Sequence, residues 1–430
     1  MRWVTGILAL AIAVPAAGQA PTPQHLEVTL TEAIQRALQV QPLMVGARGE
    51  VRSSGAAMRA SNGAFLPTIS TNGSWSRRGG TTLNNSNQIV TTPTVISYSG
   101  GITASIDLFT GFRRLADRRA SAATQDAADA GLVDVRFRVI LDTRGFFYDA
   151  LATEELVRVA QSQVRRAQQQ LQISIDKLHA GSATRSDSLR STVDFGNARI
   201  ALLEAQANLA TAQANLGRQI GVDQPVRAVP DSGLPPLPDT TALRAIAVDR
   251  APRVEQADAQ ARAARARVAV SRQTYFPRIS YSAGNSTSNA EPPWDHTNPY
   301  SKGWNVGVGV SWTLFNGFSR ESQVVSASVA RDNAEANAAD TRRAVNAQVA
   351  QQIAALTTAY EKIDIARANV AAATEDLRVQ NERYRVGAAT ILDLLTSQAS
   401  LTQAEQNFVQ VRFDYLIARA QLEALVGHEL

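Results

Sequence analysis

The most constraining feature of this chain is that it is written twice. TEAIQRALQVQP, ending at Pro42, resembles TALRAIAVDRAP, ending at Pro252, and AFLPTIS around Pro67 matches TYFPRIS around Pro277, both at an offset of 210 residues. Further on, LFTGF at 108–112 matches LFNGF at 314–318, and Gly181-x-x-Thr184-x-x-Asp187 matches Gly387-x-x-Thr390-x-x-Asp393, now at an offset of 206. Ile220-Gly221 and Val426-Gly427 close the two copies. Whatever one half folds into, the other folds into as well, and the two halves then share a core. The change of offset falls between Pro67 and Gly111, which predicts a longer loop in the first copy. Residues 221–240 hold five prolines and read as an extended linker between a first repeat (21–220) and a second (241–430).

Each half has the same internal order. Residues 31–65 read as helix, with Thr31 as the expected N-cap, and are followed by a Gly/Ser/Thr-rich stretch of period two. Proline-free runs rich in Ala, Gln, Arg and Leu then predict helices over about 112–179 and 187–220. The second half predicts 241–274, a β region, 318–385 and 391–426. A helix of about 68 residues is roughly 100 Å long, beyond an ordinary globular domain, and points to long coiled-coil hairpins. Gly181 and Gly387 stand where such hairpins would be capped and turned.

The alternating stretches set the class. In 302–315 the even positions are Trp304, Val306, Val308, Val310, Trp312 and Leu314, and the odd ones Asn305, Gly307, Gly309, Ser311 and Thr313. In 96–108 the even positions carry Ile96, Tyr98, Ile102, Ile106 and Leu108, and the odd ones Ser97, Ser99, Thr103, Ser105 and Asp107. Ile69 to Ser76 and Arg278 to Ala283 alternate in the same way. Apolar against polar over about ten residues is the pattern of a transmembrane barrel strand, although two half-buried hairpins in a soluble sheet would also give it. Phe109, Phe112, Trp304, Trp312, Phe315 and Phe318 lie near the strand ends, where an interfacial girdle sits, and this favours the barrel. The polar joining segments 77–95 and 285–301 read as exposed loops.

Residues 1–20 agree with that class. Arg2, the apolar run Ile7–Val14 and the small residues after Pro15 have the form of a secretory signal peptide, too short to span a bilayer. No other stretch is apolar enough for a membrane helix, so an exported chain of this kind is soluble or crosses lipid as strands. Four strands cannot close a barrel. Two chains would give eight strands, a barrel filled by its own side chains, and three would give twelve, the smallest assembly with a wider lumen. The expected fold is therefore mainly α, with hairpins forming an α-barrel below a shared membrane β-barrel.

At this level the chain resembles the TolC-like outer membrane efflux protein family. The two LF-x-G-F turns carry the resemblance, together with the tip Tyr384-Arg385-Val386-Gly387-Ala388-Ala389-Thr390 followed by Asp393-Leu394-Leu395, and the weaker copy Leu178-His179-Ala180-Gly181-Ser182-Ala183-Thr184 with Asp187. It covers the whole mature chain. It implies a homotrimer in the outer membrane of a diderm bacterium, with a 12-stranded barrel and a periplasmic α-barrel. It also implies docking to a periplasmic adaptor (membrane fusion) protein and coupling to an inner-membrane transporter. Position by position, Asp393 matches a ring aspartate of the periplasmic aperture, and Asp187, beside Ser186, and Tyr384 match its closing network. Ala389 and Thr396 stand where some members have an arginine and a second acid. The latch is then either weaker or built from Arg185 or Arg383. A ring of three Asp393 carboxylates implies bound cations or raised pKa values. The tips Ala180, Gly181, Ser182 and Val386, Gly387, Ala388 are the adaptor-docking residues under this resemblance. Turn chemistry alone explains Gly387 and Thr390, but not the small residues at an exposed tip, which leave backbone open to another hairpin.

Little else in the chain carries chemistry. The absence of cysteine excludes disulfides, thiolate metal sites and a Cys nucleophile. His25, His179, His296 and His428 are isolated, and no HExxH, GxSxG or Walker A motif is present, so an enzyme, a metal site or a cofactor is not expected. Asp295-His296 reads as a solvated turn. Asp107 lies on the polar strand face and either lines the lumen or supports the turn at Thr110-Gly111. The net charge of +5 is spread along the chain and reads as a solvated helical surface rather than a nucleic-acid site. The competing reading is a secreted coiled-coil rod or surface-layer protein, which would not need strands with two faces of opposite polarity.

Overall fold

The computed structural model describes residues 26–83, 87–230, 233–239, 251–295 and 299–430. The signal-like segment 1–20, His25, His296 and the 241–250 part of an expected helix lie outside the described residues. In chain order the elements are β1 (Leu26–Val28), α1 (Leu30–Val40), α2 (Pro42–Gly63), β2 (Thr68–Leu83), β3 (Ile89–Phe109), α3 (Arg113–His179) and α4 (Arg185–Ile220). Then come β4 (Val226–Ala228), α5 (Pro252–Arg272), β5 (Arg278–Asn289), β6 (Ser301–Ser311), α6 (Ser319–Arg385) and α7 (Ile391–Val426).

Proline and capping chemistry correct the expected start of the first repeat. The helix over 31–65 is broken in two. Pro42 has no N–H to donate and pushes the preceding Gln41 into an extended conformation (ψ 130°), so α1 ends and α2 begins there. The N-cap is Thr29 rather than Thr31. Thr29 Oγ1 accepts the Glu32 N–H at 3.4 Å and the Glu32 carboxylate accepts the Thr29 N–H at 3.2 Å, a reciprocal capping box that uses both side chains.

Helices α3 and α6 are 67 residues each, and α4 and α7 are 36 each. At ~1.5 Å per residue the longer pair reach about 100 Å. They lie side by side in the order α4–α3–α7–α6. Between α3 and α7, Arg166 pairs with Glu405 and Arg412 with Glu155, both at 2.9 Å, and Arg144 pairs with the buried Glu423. Halfway along, a belt wraps this layer. The expected extended linker contains β4, which pairs in parallel with β1. Val28, Val226 and Ala228 from this ribbon are buried against Phe147, Leu216, Ile220 and Phe413. Beyond it, Tyr415 donates to the Pro235 carbonyl at 3.0 Å and Arg419 to that of Pro236 at 3.3 Å, so the proline-rich chain is held as well as extended.

The sheet has the order β2-β3-β5-β6 and is antiparallel throughout. Here the expected loops are corrected. In the first repeat most of 77–95 is strand, because β2 runs to Leu83 and β3 starts at Ile89. The extra residues of the first copy thus lengthen its strands, 16 and 21 residues against 12 and 11, rather than its loop. The run expected at 302–315 leaves the sheet at Ser311.

Each strand-to-helix junction turns through two successive left-handed residues, Gly111-Phe112 (φ 62° and 65°) and Gly317-Phe318 (φ 64° and 64°). A left-handed phenylalanine is strained. An arginine two residues on braces each turn. Arg114 donates to the carbonyls of Ala64 and Leu108, both at 3.3 Å, over the Phe65 ring, and Arg320 donates to Thr313 and Leu314 at 2.7 and 2.8 Å over the Tyr275 ring. The two glycines differ in their surroundings. A Cβ on Gly111 would sit 2.3 Å from Phe276 Cβ, whereas one on Gly317 meets nothing within 4 Å. Gly317→Ala is therefore expected to cost about 1–2 kcal/mol, from backbone strain alone. Gly111→Ala is expected to cost ~1–3 kcal/mol more, from overpacking. Urea unfolding of the purified variants checks the order, and equal midpoints would refute it.

Candidate functional site

Strand register decides which side chains share a face. Ile69 is opposite Ala104, Ala104 is opposite Ala283, and Ala283 is opposite Val306. Ile69, Trp75, Tyr98, Ile102, Ile106, Tyr281, Trp304, Val306, Val308 and Val310 therefore fall on one face, in phase across all four strands. This face is bare, with Ile69 72%, Trp304 80% and Val310 70% exposed. The opposite face carries Ser70, Asn72, Ser74, Ser97, Ser99, Thr103, Ser105, Ser280, Ser282, Asn305, Gly307 and Gly309. One face thus suits hydrocarbon, and the other offers hydroxyls, amides and hydrogens to water. A secreted rod has no use for such a sheet.

The aromatic residues bracket the apolar face. Tyr98, stacked edge-on with Trp294 at 6.4 Å, and Phe109, edge-on to Phe112 at 5.5 Å, are eleven residues apart on β3. At ~3.3 Å per residue and a strand tilt of ~40° this separation is about 28 Å, close to the ~25 Å apolar band of an outer-membrane barrel.

Asp107, left open between lumen and turn, lies on the polar face and takes a bidentate hydrogen bond from Arg278 at 2.9 and 2.7 Å. Sequence reasoning missed Arg278. The signal was available, because Arg278 follows Pro277 at the start of the strand that pairs with β3.

The hairpin tips are built alike. Ala180 and Val386 end α3 and α6, and Gly181 (φ 72°) and Gly387 (φ 80°) turn the chain. The Ser182 N–H then closes on the Lys177 carbonyl at 2.9 Å, and the Ala388 N–H on that of Arg383 at 2.7 Å, the Schellman pattern. Thr184 and Thr390 start the next helices. Asp187 accepts the N–H and hydroxyl of Thr184 at 3.0 and 2.8 Å, and Asp393 accepts those of Thr390 at 2.9 and 2.8 Å. Both candidate gate aspartates thus sit in capping boxes of their own chain. The backbone and hydroxyl hydrogen bonds from Thr390 hold the Asp393 carboxyl of the single chain below the usual carboxylate range.

Among the other candidates, Arg185 and Ser186 are exposed, and Val386 is 80% exposed. Arg383 folds back on its own tip and donates to the Ala388 carbonyl at 3.3 Å. Tyr384 is buried among Leu377, Ile391, Leu394 and Leu401, and its hydroxyl has no partner among the described residues. What reaches it is a residue that sequence reasoning missed. Lys177 of the first hairpin donates to the Tyr384 carbonyl and stands 4.1 Å from the ring centroid. The structure therefore brings Tyr384 together with Lys177, not with Asp187. Local sequence gave no sign of this, because the two residues are 207 apart in the chain.

Comparison with known proteins agrees with this geometry. The family model for outer membrane efflux proteins matches residues 33–222 and 243–428. The pyoverdine export outer membrane protein OpmQ of Pseudomonas aeruginosa is 28% identical over 357 residues, which is 77% of this chain and 69% of that protein. Protein CyaE of Bordetella pertussis is 26% identical over 399 residues, 90% of this chain and 82% of its own. In structure, the chain is similar to the crystallised CusC, with a TM-score of 0.78 at 19% identity over 96% of this chain and 97% of that one. The two-faced sheet, the paired hairpins and a family match across both repeats lead to one conclusion: the chain belongs to the outer membrane efflux protein family, and it is an outer-membrane exit duct of efflux or secretion systems.

Proposed function

We propose that three copies of the chain close one 12-stranded barrel over a ring of twelve long helices, and that this homotrimer passively conducts cargo delivered by an inner-membrane transporter through a periplasmic adaptor. The observation that carries this reading is the open sheet with one continuous apolar face. Its edges are β2 and β6, which run in opposite directions. The β6 of one copy can therefore pair antiparallel with the β2 of the next, and repetition by cyclic symmetry leaves no backbone edge in lipid. Serine, threonine, asparagine and glycine on the inner face make a polar, weakly selective passage, with Asp107 and Arg278 as its charged pair near the helical tube. The adaptor docks on the exposed small-residue tips, Ala180-Gly181-Ser182 and Val386-Gly387-Ala388.

The periplasmic aperture lies at the same tips. Asp187 and Asp393 serve it indirectly by fixing the hairpin ends, with Ser186, Arg185 and Arg383 beside them. Lys177 ties the first hairpin to Tyr384 of the second and holds the pair closed. Because Lys177 grips the ring and the carbonyl, the Tyr384 hydroxyl is dispensable.

Single-channel conductance in planar bilayers tests these statements. The wild-type trimer is expected to give small, rare openings. Lys177→Met and Tyr384→Ala are expected to raise open probability about tenfold, the effect of losing ~1.4 kcal/mol from the closed state, a size ordinary for a cation over an aromatic ring. Tyr384→Phe is expected to behave as wild type, since it removes only a hydroxyl without a partner. A protein that is inserted, trimeric and silent in every variant would overturn the duct, whereas openings unchanged by Lys177→Met would move the gate elsewhere.

Acid supplies an independent check on the Asp393 cap. The folded-state pKa is lowered, so the stabilisation is present above the unfolded value and is lost as pH falls through the lowered one. Conductance is expected to stay constant from neutral pH down to the ordinary carboxylate range and to change only below it. A change near neutrality would contradict this.

A further inference from the structure

We propose that Arg77 and Lys302 form a cationic site on the lipid-facing rim of the barrel that binds the phosphate of an anionic, phosphorylated lipid of the outer leaflet. The inference rests on the closed-barrel reading above, because Arg77 lies on one edge strand and Lys302 on the other.

Register and parity place both residues. On β2, Ile69, Trp75 and Arg77 share the apolar face, and on β6, Val310, Val308, Val306, Trp304 and Lys302 share it. Trp75 stands seven residues from Thr68, the periplasmic end of β2, and Trp304 stands seven residues from Ser311, the periplasmic end of β6. Arg77 and Lys302 are each two residues further out. They are therefore at equal height, about 30 Å along the strand from its inner end and about 23 Å along the membrane normal at a tilt of ~40°. That is close to the outer edge of the ~25 Å apolar band, two residues beyond the Trp75 and Trp304 rings, where headgroups begin.

The surroundings favour an anion. Both side chains are exposed, and among the described residues neither makes an ion pair. Ile96 stands opposite Arg77 and Thr287 opposite Lys302, so no carboxylate answers either cation across its own strand pair. When β6 of one copy meets β2 of the next, the two cations come to one junction at the same height. Like charges side by side on neighbouring strands repel unless an anion lies between them. A guanidinium presents a fork to a phosphate and an ammonium adds a point charge. Trp75 and Trp304 lie directly below, so acyl chains hanging from that phosphate meet aromatic and aliphatic surface. A free phosphate would not use that surface, and this selects the lipid as occupant. Arg78, next to Arg77, falls on the opposite face with Ser76 and takes no part.

The test uses the intact, detergent-solubilised protein titrated with bisphosphorylated lipid A, with its dephosphorylated form and with inorganic phosphate, read by native mass spectrometry. Wild type is expected to bind the phosphorylated lipid about tenfold more tightly than either the dephosphorylated lipid or the Arg77→Ala/Lys302→Ala variant does, from the loss of two basic residues at the headgroup level. Arg77→Lys/Lys302→Arg and Arg78→Ala are expected to bind like wild type. Equal binding of both lipids, equal binding by the double alanine variant, or displacement by millimolar inorganic phosphate would each overturn the site. A wild type that runs as a monomer on the same instrument would overturn the closed barrel and the site together, whereas a trimer indifferent to lipid phosphate would overturn the site alone.

Discussion

The constraint on which this structure depends is that a backbone in lipid must find all of its hydrogen-bond partners within protein. A sheet of four strands with an in-phase apolar face satisfies that only in part, since β2 and β6 each leave one side unpaired. Closure by identical copies removes both edges at once. The rest of the architecture follows from it. In the proposed closed barrel the polar face would turn inward and the helices would continue the wall set by the strands, while within the chain the belt of β1, β4 and the proline-rich segment packs against the four-helix layer. The strained Gly-Phe turns lie where strand becomes helix, and Arg114 and Arg320 supply donors to carbonyls at the ends of α2, β3 and the segment after β6.

At the opposite end the same accounting changes the meaning of the aspartates. Each carboxylate accepts the N–H and the hydroxyl of its own N-cap threonine on a single oxygen, Oδ2. Asp187 and Asp393 are thereby part of the reason the hairpins turn sharply into α4 and α7. Near the tips, Lys177 on Tyr384 adds to the α3–α7 ion pairs that join hairpin to hairpin within one chain. A cation over a ring and on a carbonyl is a contact that breaks without exposing a buried charge, which suits the gate proposed at these tips.

Much of this fold was legible in the sequence. The proline-free runs of Ala, Gln, Arg and Leu marked α3, α4, α6 and α7 to within two residues, because glycine in a left-handed turn and threonine at an N-cap are local chemistry. The apolar faces were legible for the same reason, since period two is written in the side chains. The outer part of the β2–β3 hairpin was not. From Arg77 to Leu83 neither face is apolar, so the pairing with 89–96 rests on backbone alone and leaves no pattern. Strands β1 and β4, three residues each and about 200 apart in sequence, are too short to show a period. Arg114 and Arg320 were visible in principle, as both LF-x-G-F turns are followed two residues later by arginine. Lys177 on Tyr384 was not, because only the packing of two hairpins creates it.

Duplication also shows where the two halves have parted. Lys177 and Arg383 occupy the same place in the repeat, 206 residues apart, four residues before the tip glycine. Arg383 closes on Ala388 of its own turn, while Lys177 crosses to the other hairpin. The position after the cation also differs, Leu178 in the first copy and Tyr384 in the second, and Lys177 lies over that Tyr384 ring. In the proposed ring of twelve helices the Lys177 bridge would recur once in each copy. Lys177 is half-buried and, among the described residues, carries no carboxylate partner there, so in the proposed gate this bridge would open at lower cost than the α3–α7 ion pairs along the hairpins.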